Sequence, residues 1–489
     1  MPKHPRLVLA RVNYSQLYGV YDHGKIPRQR DVLIPYHLLN LAGYARASGM
    51  DVALIDGEVD VLGQEQLADA ILEKDPQYVG LTATTPDVLL AVEVCTLLKK
   101  HTPGIITVIG GTHASVMPDD VAQHAVVDYV VVGDGEQAIV EIVNSFPSGA
   151  GRINARRLNG KIVKTDDIDL SMSPLPAHDL LDYGKYLFSD PTRGQIRTAS
   201  VMSSRGCPFE CSFCAHSRKV RFRPIAEFIR EIAGLYDQQG VRYFYVYDDT
   251  FLLRDDRLLE FARELKGLDL VDARFQCLAR ANQVTRDRIE LLRDVGFVRV
   301  SIGVESGSDE LLKRVSKGVT KEECLRACRV ISEAGLETRA SFIIGHPWET
   351  QATAEETIAF AQELEIMHAN FTVMTPYPGT RVYAQACRGE GIRFSQPELA
   401  TDWNAFRRWG QPIIRTDELT SEDLERLRET AITEFYTQPK VTDYYRRLFE
   451  SGNRSRFIHR PVNFAWRRKY GDDLPYWDQL GDEKFLEPY

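Results

Sequence analysis

The chain has 489 residues, of which 44% are hydrophobic and 26% are charged, and its net charge is −9 with only eight cysteines. This length exceeds what one hydrophobic core usually serves, so two or three domains are expected. The acidic balance argues against a general nucleic-acid-binding protein, which needs positive charge to displace counterions, and no apolar run in the sequence approaches membrane-spanning length. The low cysteine content argues against a disulfide framework and, because no signal peptide is expected, indicates the reducing cytoplasm.

The first 145 residues alternate short apolar strands with amphipathic helices. Strands are predicted at 7–12, 52–55, 78–82, 107–109 and 129–132, and helices at 38–47, 64–72 and 88–99. Such alternation predicts a parallel sheet wrapped by helices, with the ligand crevice at the carboxyl ends of the strands. We therefore predict an N-terminal doubly wound, Rossmann-like α/β domain over residues 1–145.

Three strand-end loops of this domain are rich in small and hydroxyl-bearing residues. They contain Thr82, Thr84 and Thr85; Gly110, Gly111 and His113; and Gly133, Gly135 and Glu136. Glycines let a backbone approach a ligand closely, and hydroxyls supply directional hydrogen bonds. A Gly-Gly pair after a strand is equally consistent with a simple turn. Taken together, the three loops indicate one ligand-binding edge.

The pattern loosens over residues 146–197, which are interpreted as a linker containing a hairpin at 154–165. A second alternating series follows over 198–387, with strands predicted at 198–202, 243–247, 274–278, 298–302, 339–344 and 370–374. Helices are predicted at 225–239, 256–265, 287–294, 321–334 and 354–364. Six strands alternating with helices predict a parallel, barrel-like unit with reactive groups at the strand carboxyl ends.

Cys207, Cys211 and Cys214 follow the first of these strands with the spacing Cys-x3-Cys-x2-Cys. That spacing suits an iron–sulfur cluster held by three thiolates, in which one iron remains open to a small molecule. A four-cysteine zinc site would need a second close pair, which the other cysteines do not provide. Cys324 and Cys328 lie one helical turn apart and fit core packing better than a second metal site.

The cysteine motif, with Phe213 before its last cysteine, resembles the signature of radical S-adenosylmethionine enzymes, whose fold is a partial (β/α)6 barrel. The loop with Gly110, Gly111 and His113, together with loop 133–136, resembles the cobalamin-binding domain that precedes the barrel in one large branch. The resemblance covers roughly residues 1–385. It implies three cofactors, namely a 4Fe-4S cluster, S-adenosylmethionine and cobalamin in the form of methylcobalamin.

The resemblance also implies roles for individual residues. Cys207, Cys211 and Cys214 would ligate three irons, and S-adenosylmethionine would chelate the fourth. Phe213 and Gly345 would lie beside the adenine, Glu305 would bind the amino group and Ser306 the ribose. A buried aromatic is the alternative for Phe213, and a solvated turn is the alternative for Glu305.

Charged residues at two further strand ends would face the same mouth of the barrel. Asp248 and Asp249 follow strand 243–247, and Arg280 follows strand 274–278. The planar fork of Arg280 suits the methionine carboxylate of S-adenosylmethionine, and Asp249 would be a further contact. Structural ion pairing among these charges is nearly as well supported.

The sequence departs from one cobalamin pattern. Cobalamin domains of the methionine-synthase type carry Asp-x-His-x-x-Gly after the first strand, whereas residues 13–19 contain no histidine. The resemblance therefore implies cobalamin without a histidine on cobalt. His113 is interpreted as a residue that orders its loop rather than as a cobalt ligand.

The activity implied is methyl transfer to an unactivated carbon of a small biosynthetic substrate, such as a secondary metabolite, a lipid or a tetrapyrrole-like molecule. A cyclase or rearrangement enzyme with the same cofactors is the alternative, and a cobalamin sensor that needs no cluster is a third possibility. An electron donor such as flavodoxin or ferredoxin is the expected protein partner.

The C-terminal region, residues 388–489, combines helical charge patterns with aromatic clusters. It is predicted to be mainly helical and to cap the barrel and shape the substrate pocket. Its basic, aromatic stretch at 454–469 suits an anionic substrate or a nucleic acid, and a solvated surface is the better-supported reading.

Overall fold

The computed structural model describes residues 6–14, 33–145, 156–159, 161–190, 193–215, 217–451 and 456–471. The chain divides into two compact units. The first comprises residues 1–26, 32–185 and 401–407, and the second comprises 27–31, 186–400 and 408–489. Within the described ranges, no helix combines the length and the apolar character that crossing a bilayer requires.

The first unit is a doubly wound α/β domain, as predicted. Its strands are β1 (Arg6–Arg11), β2 (Asp51–Asp56), β3 (Tyr78–Thr82), β4 (Ile106–Gly110), β5 (Tyr129–Val132), β6 (Arg156–Asn159) and β7 (Ile162–Lys164). Its helices are α1 (Tyr36–Ala47), α2 (Gln64–Leu72), α3 (Val88–His101), α4 (Thr112–Val116), α5 (Pro118–Ala122) and α6 (Gly135–Ser145). The core forms where Leu9 and Val108 of the sheet pack against Leu38 of α1 and Ile142 of α6.

The sheet of this unit has the order β2-β1-β3-β4-β5-β7-β6. All neighbours are parallel except β6 and β7, which form an antiparallel hairpin. From β1 the chain continues to β2 on one side, and after β2 it crosses to β3 on the other side of β1. In sheets of this topology, ligands bind outside the carboxyl ends of the strands where that reversal occurs.

The second unit contains the remaining elements. Its strands are β8 (Leu187–Asp190), β9 (Gly194–Val201), β10 (Ser204–Arg205), β11 (Arg221–Phe222), β12 (Tyr243–Val246), β13 (Arg274–Ala279), β14 (Phe297–Glu305), β15 (Glu337–Ile344), β16 (His368–Val373), β17 (Ile392–Phe394) and β18 (Ile414–Thr416). Its helices are α7 (Ile225–Gln239), α8 (Asp255–Lys266), α9 (Arg286–Arg293), α10 (Asp309–Arg314), α11 (Lys321–Glu333), α12 (Gln351–Glu363), α13 (Arg381–Arg388), α14 (Ser421–Tyr436), α15 (Pro439–Glu450) and α16 (Arg456–Tyr470).

The large sheet of the second unit is a curled half-barrel with the order β16-β15-β14-β13-β12-β9-β8. The six strands β9 and β12 to β16 are mutually parallel, which matches the predicted barrel, and β8 pairs antiparallel with β9 at one edge. Alternate residues of β15, namely Ala340, Phe342 and Ile344, are fully buried. This face lies under the helices, so the intervening residues line the concave face.

Side-chain caps set the starts of several helices. Thr320 accepts a hydrogen bond from the Glu323 amide at α11, Thr350 from the Thr353 amide at α12, and Thr420 from the Asp423 amide at α14. Each cap satisfies a backbone donor that the first helical turn leaves free.

The segment interpreted as a linker, 146–197, contains β6, β7 and β8 and the start of β9, so much of it belongs to the two sheets. The C-terminal region is mainly helical, as expected, with α14, α15, α16 and a short antiparallel pair of β17 with β18. Residues 454 and 455 of the basic, aromatic stretch and the C-terminal residues 472–489 lie outside the described residues.

Candidate functional site

Three strand-end loops of the first unit are bound to one another. Gly111 adopts a φ of 104°, and a Cβ there would collide with the Ala83 carbonyl oxygen and the Thr82 hydroxyl. The Ser115 hydroxyl donates to the Gly111 carbonyl at 2.8 Å and accepts from the Gly133 amide at 3.1 Å. The loops after β3, β4 and β5 therefore form one edge of small residues, where the backbone is open to a ligand.

His113 is fully buried within this edge. Its Nδ1 lies 3.2 Å from Thr85 Oγ1, and its Nε2 lies 3.3 Å from Asp120 Oδ2. Burial lowers its pKa, although Asp120 opposes the shift, so the imidazole is neutral near pH 7. Both ring nitrogens are engaged within the protein, which agrees with a loop-ordering role and leaves neither free for cobalt.

Residues 401–407 belong to this unit and pack on the same loops. The Trp403 indole donates to Asp120 Oδ2 at 3.0 Å, and its ring meets His113 edge-on with centroids 4.9 Å apart. This segment comes from the C-terminal region, far from the loops in sequence, and no sequence pattern predicts its position.

Asn13, two residues after β1, has a buried amide that makes no hydrogen bond to the described residues. Only 2% of its surface is exposed, and neither Oδ1 nor Nδ2 has a hydrogen-bond partner in the described part of the chain. An unsatisfied buried amide costs about 1–3 kcal/mol. Its position at the strand reversal makes it a candidate contact for a polar ligand group.

Gly135 and Glu136, the remaining predicted residues of this edge, begin α6. A Cβ at Gly135 would lie 3.1 Å from Leu41 of α1, and Glu136 is buried. Thr84 and Asp87 form a capping box at the turn before α3. Burial raises the pKa of Asp87 to about 7. These contacts serve packing and loop order.

The cysteine loop is anchored at both ends. The β10–β11 pair closes its base, and the Gly206 amide donates to Asp249 Oδ2 at 2.9 Å. Asp248 is buried and accepts from the Ser203 amide at 2.7 Å and from the Ser203 and Ser204 hydroxyls. Asp248 and Asp249 therefore order residues 203–206, which lead into Cys207.

The three cysteine side chains are free thiols at the strand mouth. A hydrogen bond from the Cys214 thiol, together with the charges of Lys317 and Arg280, lowers the pKa of Cys211 despite its burial. No group of three cysteine, histidine or acidic side chains among the described residues is gathered tightly enough for a single metal ion. A cluster places each thiolate on a different iron and so needs them farther apart.

Two cations lie beside Cys211. Arg280 Nη1 is 3.4 Å from Cys211 Sγ, its guanidinium stacks 3.7 Å from the Phe209 ring centroid, and its Nη2 donates to the Lys317 carbonyl. Lys317 Nζ donates to Glu305 Oε1 at 2.7 Å. The thiolates of a cluster are negative, so these two cations favour the deprotonated sulfur that metal binding needs.

Glu305 ends β14 in a left-handed conformation with a φ of 69°. The β14–β15 register shifts between Gly303 and Glu305, and such a bulge re-aims a side chain. A Cβ at Gly303 would collide with Glu305 Oε1 and lie 2.8 Å from Lys317 Nζ. Glycine at 303 thus makes room for the ion pair.

Ser306, the next residue, is fully buried. Its hydroxyl lies 3.2 Å from Thr357 Oγ1 and accepts from the Ser308 amide at 3.1 Å. The hydroxyl predicted to reach a ribose is therefore engaged within the protein.

The turn after β15 contains Gly345 and His346, and the His346 ring lies near Phe213. Gly345 has a φ of 89°, and the Gly345 and His346 amides both donate to Glu349 Oε2. Burial raises the pKa of Glu349 to about 8, although these amides oppose it. Burial lowers the pKa of His346 to about 4, although the charge and the backbone of Glu305 oppose the shift. Within the described ranges, neither ring nitrogen makes a hydrogen bond of regular geometry.

The His346 ring centroid lies 5.9 Å from that of Phe213. A neutral, buried imidazole with two unmet nitrogens beside the cysteine loop fits contact with a polar cofactor. The unpartnered Nε of Arg280 fits a carboxylate in the same way.

Sequence reasoning missed Asn13, Lys317 and His346. Lys317 follows a turn with a φ of 54° at Ser316 and lies in no recognisable motif. His346 follows Gly345, which is predicted to lie beside the adenine, and only its burial without a regular hydrogen bond among the described residues singles it out.

Two family models match the chain. The radical SAM superfamily model covers residues 201–361, and the B12 binding domain model covers residues 30–143. The matches fall on the second and the first unit, respectively.

Two curated proteins resemble the chain along most of its length. An uncharacterized methyltransferase of Pyrococcus horikoshii is 31% identical over 422 residues, which are 83% of this chain and 88% of that protein. The anaerobic magnesium-protoporphyrin IX monomethyl ester cyclase of Rubrivivax gelatinosus is 30% identical over 470 residues, which are 91% of this chain and 81% of that protein.

A solved structure shares the fold. The radical S-adenosylmethionine methyltransferase TsrM of Kitasatospora setae, with cobalamin and a [4Fe-4S] cluster bound, superposes with a TM-score of 0.64 at 20% identity and covers 80% of each chain. At this identity the likeness concerns the fold.

Proposed function

The chain belongs to the cobalamin-binding radical S-adenosylmethionine enzymes, and on that premise we propose that it transfers methyl groups to an unactivated carbon of a small biosynthetic substrate. Its cofactors are a 4Fe-4S cluster, S-adenosylmethionine and cobalamin. The observation that carries the proposal is the Cys207–Cys214 loop at the end of the first barrel strand, in a chain whose other unit carries the matched cobalamin domain.

Cys207, Cys211 and Cys214 are proposed to ligate three irons. Arg280 and Lys317 support this role, because two buried cations beside Cys211 stabilise thiolate. Asp249 supports it indirectly by holding the Gly206 amide and hence the start of the loop.

S-adenosylmethionine is proposed to lie along the Phe213, Glu305 and Gly345 side of the mouth. Glu305 offers its carboxylate to the amino group, and Arg280 offers its Nε, which has no partner among the described residues, to the methionine carboxylate.

A direct contact of Ser306 with the ribose requires the Ser306 hydroxyl to break its hydrogen bond with Thr357 and form one with the ligand. His346, whose buried ring nitrogens make no regular hydrogen bond among the described residues, is added as a contact.

Cobalamin is proposed to bind at the edge formed by Thr82, Thr84, Thr85, Gly110, Gly111, Gly133 and Gly135. Gly111 supports this, since any larger residue would collide with the loop after β3. His113 and Glu136 order the edge, and the unmet amide of Asn13 is a further contact.

When bound together, these groups supply one-electron cleavage of S-adenosylmethionine, hydrogen abstraction from carbon and a transferable methyl group. The protein's own residues bind and orient. Glu305, fixed by its ion pair with Lys317, would orient the positively charged amino group of S-adenosylmethionine. The apolar strands behind the mouth exclude water.

Product analysis tests the proposal. Protein reconstituted anaerobically with iron, sulfide and hydroxocobalamin is given S-adenosylmethionine and a reductant, and we expect both 5′-deoxyadenosine and S-adenosylhomocysteine. A Cys211→Ala variant should form no 5′-deoxyadenosine, whereas Cys387→Ala, at an exposed cysteine outside the motif, should behave as the wild type. Wild-type protein that forms neither product would contradict the proposal.

A cyclase or rearrangement enzyme is the second candidate, because the Rubrivivax gelatinosus relative is named as a cyclase. It predicts 5′-deoxyadenosine without S-adenosylhomocysteine. The same product analysis therefore separates the two activities.

The proposal includes a cytoplasmic location and a flavodoxin or ferredoxin as electron donor. Support comes from the eight cysteines, all free thiols in the structure, and from the need of the cluster for reducing equivalents.

A further inference from the structure

The concave face of the half-barrel carries an arginine, Arg339, that pairs with no carboxylate of the described residues. Arg339 lies on β15, where its neighbours Thr338 and Ala340 are buried and Arg339 itself is exposed. Among the described residues, it forms no ion pair. A charged side chain exposed on the inner face of a barrel whose mouth holds the cofactors is placed to meet a substrate.

Arg339 is held in position by a neutral partner. With the Asn370 amide oriented to present its oxygen, Oδ1 lies 3.0 Å from Arg339 Nε and 3.1 Å from Nη2. An amide oxygen orients the guanidinium without neutralising it. The opposite edge of the planar fork remains available for a second acceptor.

The nearby carboxylate on this face, that of Glu337, is already paired with other side chains. Glu337 pairs with Arg299 at 2.6 Å and accepts from the Tyr444 hydroxyl at 2.6 Å. His368 adds no charge, because burial and the charge of Arg299 lower its pKa to about 3. The Glu337–Arg299 pair is neutral as a whole. Arg339 therefore leaves this part of the concave face with one unbalanced positive charge.

Aromatic side chains lie on the same face. Arg339 is near enough to Tyr245 for its charge to act on that phenol. Tyr245 packs edge-on against Tyr247 with centroids 5.4 Å apart, and 38% of Tyr247 is exposed. An aromatic ring beside an arginine suits a ligand whose anionic group is attached to an apolar or planar body.

We propose that Arg339 binds a carboxylate or phosphate group of the substrate, which makes the substrate an anion. This inference rests on the proposed function and specifies the substrate class of that site. Arg339 lies six residues before Gly345 along β15, or roughly 20 Å along an extended strand. The anionic group is thus remote from the reacting carbon, and it contributes binding and orientation rather than chemistry.

Binding of matched probes tests the proposal independently of methyl transfer. Benzoate and phenyl phosphate are titrated against reconstituted protein saturated with S-adenosylmethionine, so that the carboxylate site near Arg280 is filled. Benzamide and phenol are the uncharged controls. We expect saturable binding of at least one anion, with neither neutral probe binding comparably, and the preferred anion distinguishes a carboxylate from a phosphate substrate.

Arg339→Gln should weaken binding of the preferred anion at least tenfold, and Arg339→Lys should restore part of it. Arg326→Gln, at an exposed arginine on α11, removes the same charge elsewhere and should leave binding unchanged. All variants should release 5′-deoxyadenosine at the wild-type rate in the absence of substrate, since Arg339 is placed outside the cofactor contacts.

Equal anion binding by Arg339→Gln and wild type, or no saturable anion binding by wild type, would overturn this inference. Failure of the proposed function looks different, because wild-type protein would then form no S-adenosylhomocysteine, with or without 5′-deoxyadenosine, whatever the anion titration shows.

Discussion

Glu305 is held in a backbone conformation that few residues other than glycine adopt. Its φ is 69°, and two other residues have similar values. They are Ser316, directly before Lys317, with a φ of 54°, and Trp348, directly after Pro347, with a φ of 63°. Such conformations cost about 1–3 kcal/mol each and persist only where the surroundings enforce them. Their concentration around the cysteine loop marks the part of the barrel where side-chain placement takes precedence over relaxed geometry.

Replacing Lys317 by methionine should be strongly destabilising. Burial lowers the pKa of Lys317, but the charges of Glu305 and Cys211 outweigh it and the pKa is raised, so the pair is ionic. Removing one partner leaves a buried carboxylate unpaired, at a cost of about 3–5 kcal/mol. Chemical denaturation of anaerobic apoprotein measures this as a lower unfolding midpoint.

Lys313→Met, at an exposed lysine on α10, is the matched control and should change little. The double variant Glu305→Gln/Lys317→Met should recover most of the loss, because no charge is then left unpaired. Additive losses in the double variant would show that the two side chains do not act as a pair.

Glu349 should make stability depend on pH. Its folded-state pKa of about 8 lies above its ordinary value of 4.5, so the folded protein holds this proton more tightly than the unfolded chain. The contribution is complete below the ordinary pKa and is lost as the pH rises toward 8, by up to about 1.4 kcal/mol per pH unit.

Glu349→Gln keeps a neutral acceptor for the Gly345 and His346 amides and cannot ionise. The thermal midpoint of the variant relative to wild type should therefore rise between about pH 6 and about pH 8.5. A midpoint difference that does not change over this range would mean that Glu349 is already ionised in the folded protein.

At the scale of elements, the edge proposed to bind cobalamin depends on the close approach of the loops after β3 and β4. Gly111→Ala would force a Cβ against Ala83 O and a side chain into a φ of 104°. We expect a lower thermal midpoint and loss of the cobalamin that wild-type protein retains on gel filtration, measured by absorbance.

Gly104→Ala is the control for this change. A Cβ there meets nothing within 4 Å, and Gly104 is not among the glycines with positive φ. It should retain both stability and cobalamin. Retention of cobalamin by Gly111→Ala would remove this loop from the binding site.

Local patterns predict the elements because each signal is local. The six parallel barrel strands and the first five strands of the N-terminal sheet were all predicted from apolar runs and their spacing, to within a few residues. The positions of the cysteine loop and of the glycine loops at strand ends followed from the same alternation.

Pairing between distant segments has no comparable signal. Nothing in residues 156–164 indicates that their hairpin would join β5 through β7, and nothing near Trp403 indicates contact with His113. Arg339 could not be distinguished from a solvated arginine, since its significance depends on Asn370 and on the pairing of Glu337 with Arg299.

At the scale of the whole molecule, the chain combines two units that each carry one cofactor family. The B12 binding domain match lies in the first unit from residue 32 onward, and the radical SAM match lies within the second. On the proposed assignments, the cobalamin-contacting loops lie in the first unit and the cluster cysteines in the second. The activity therefore depends on an intact chain with both cofactors loaded.

The most direct test of this account is the electron paramagnetic resonance spectrum of the reduced, reconstituted protein with and without S-adenosylmethionine. Three cysteines leave one iron open, so we predict a 4Fe-4S signal whose g values shift when S-adenosylmethionine is added. The signal should be lost in Cys207→Ala, Cys211→Ala or Cys214→Ala. A cluster signal that S-adenosylmethionine leaves unchanged, or that survives loss of these cysteines, would contradict the central claim.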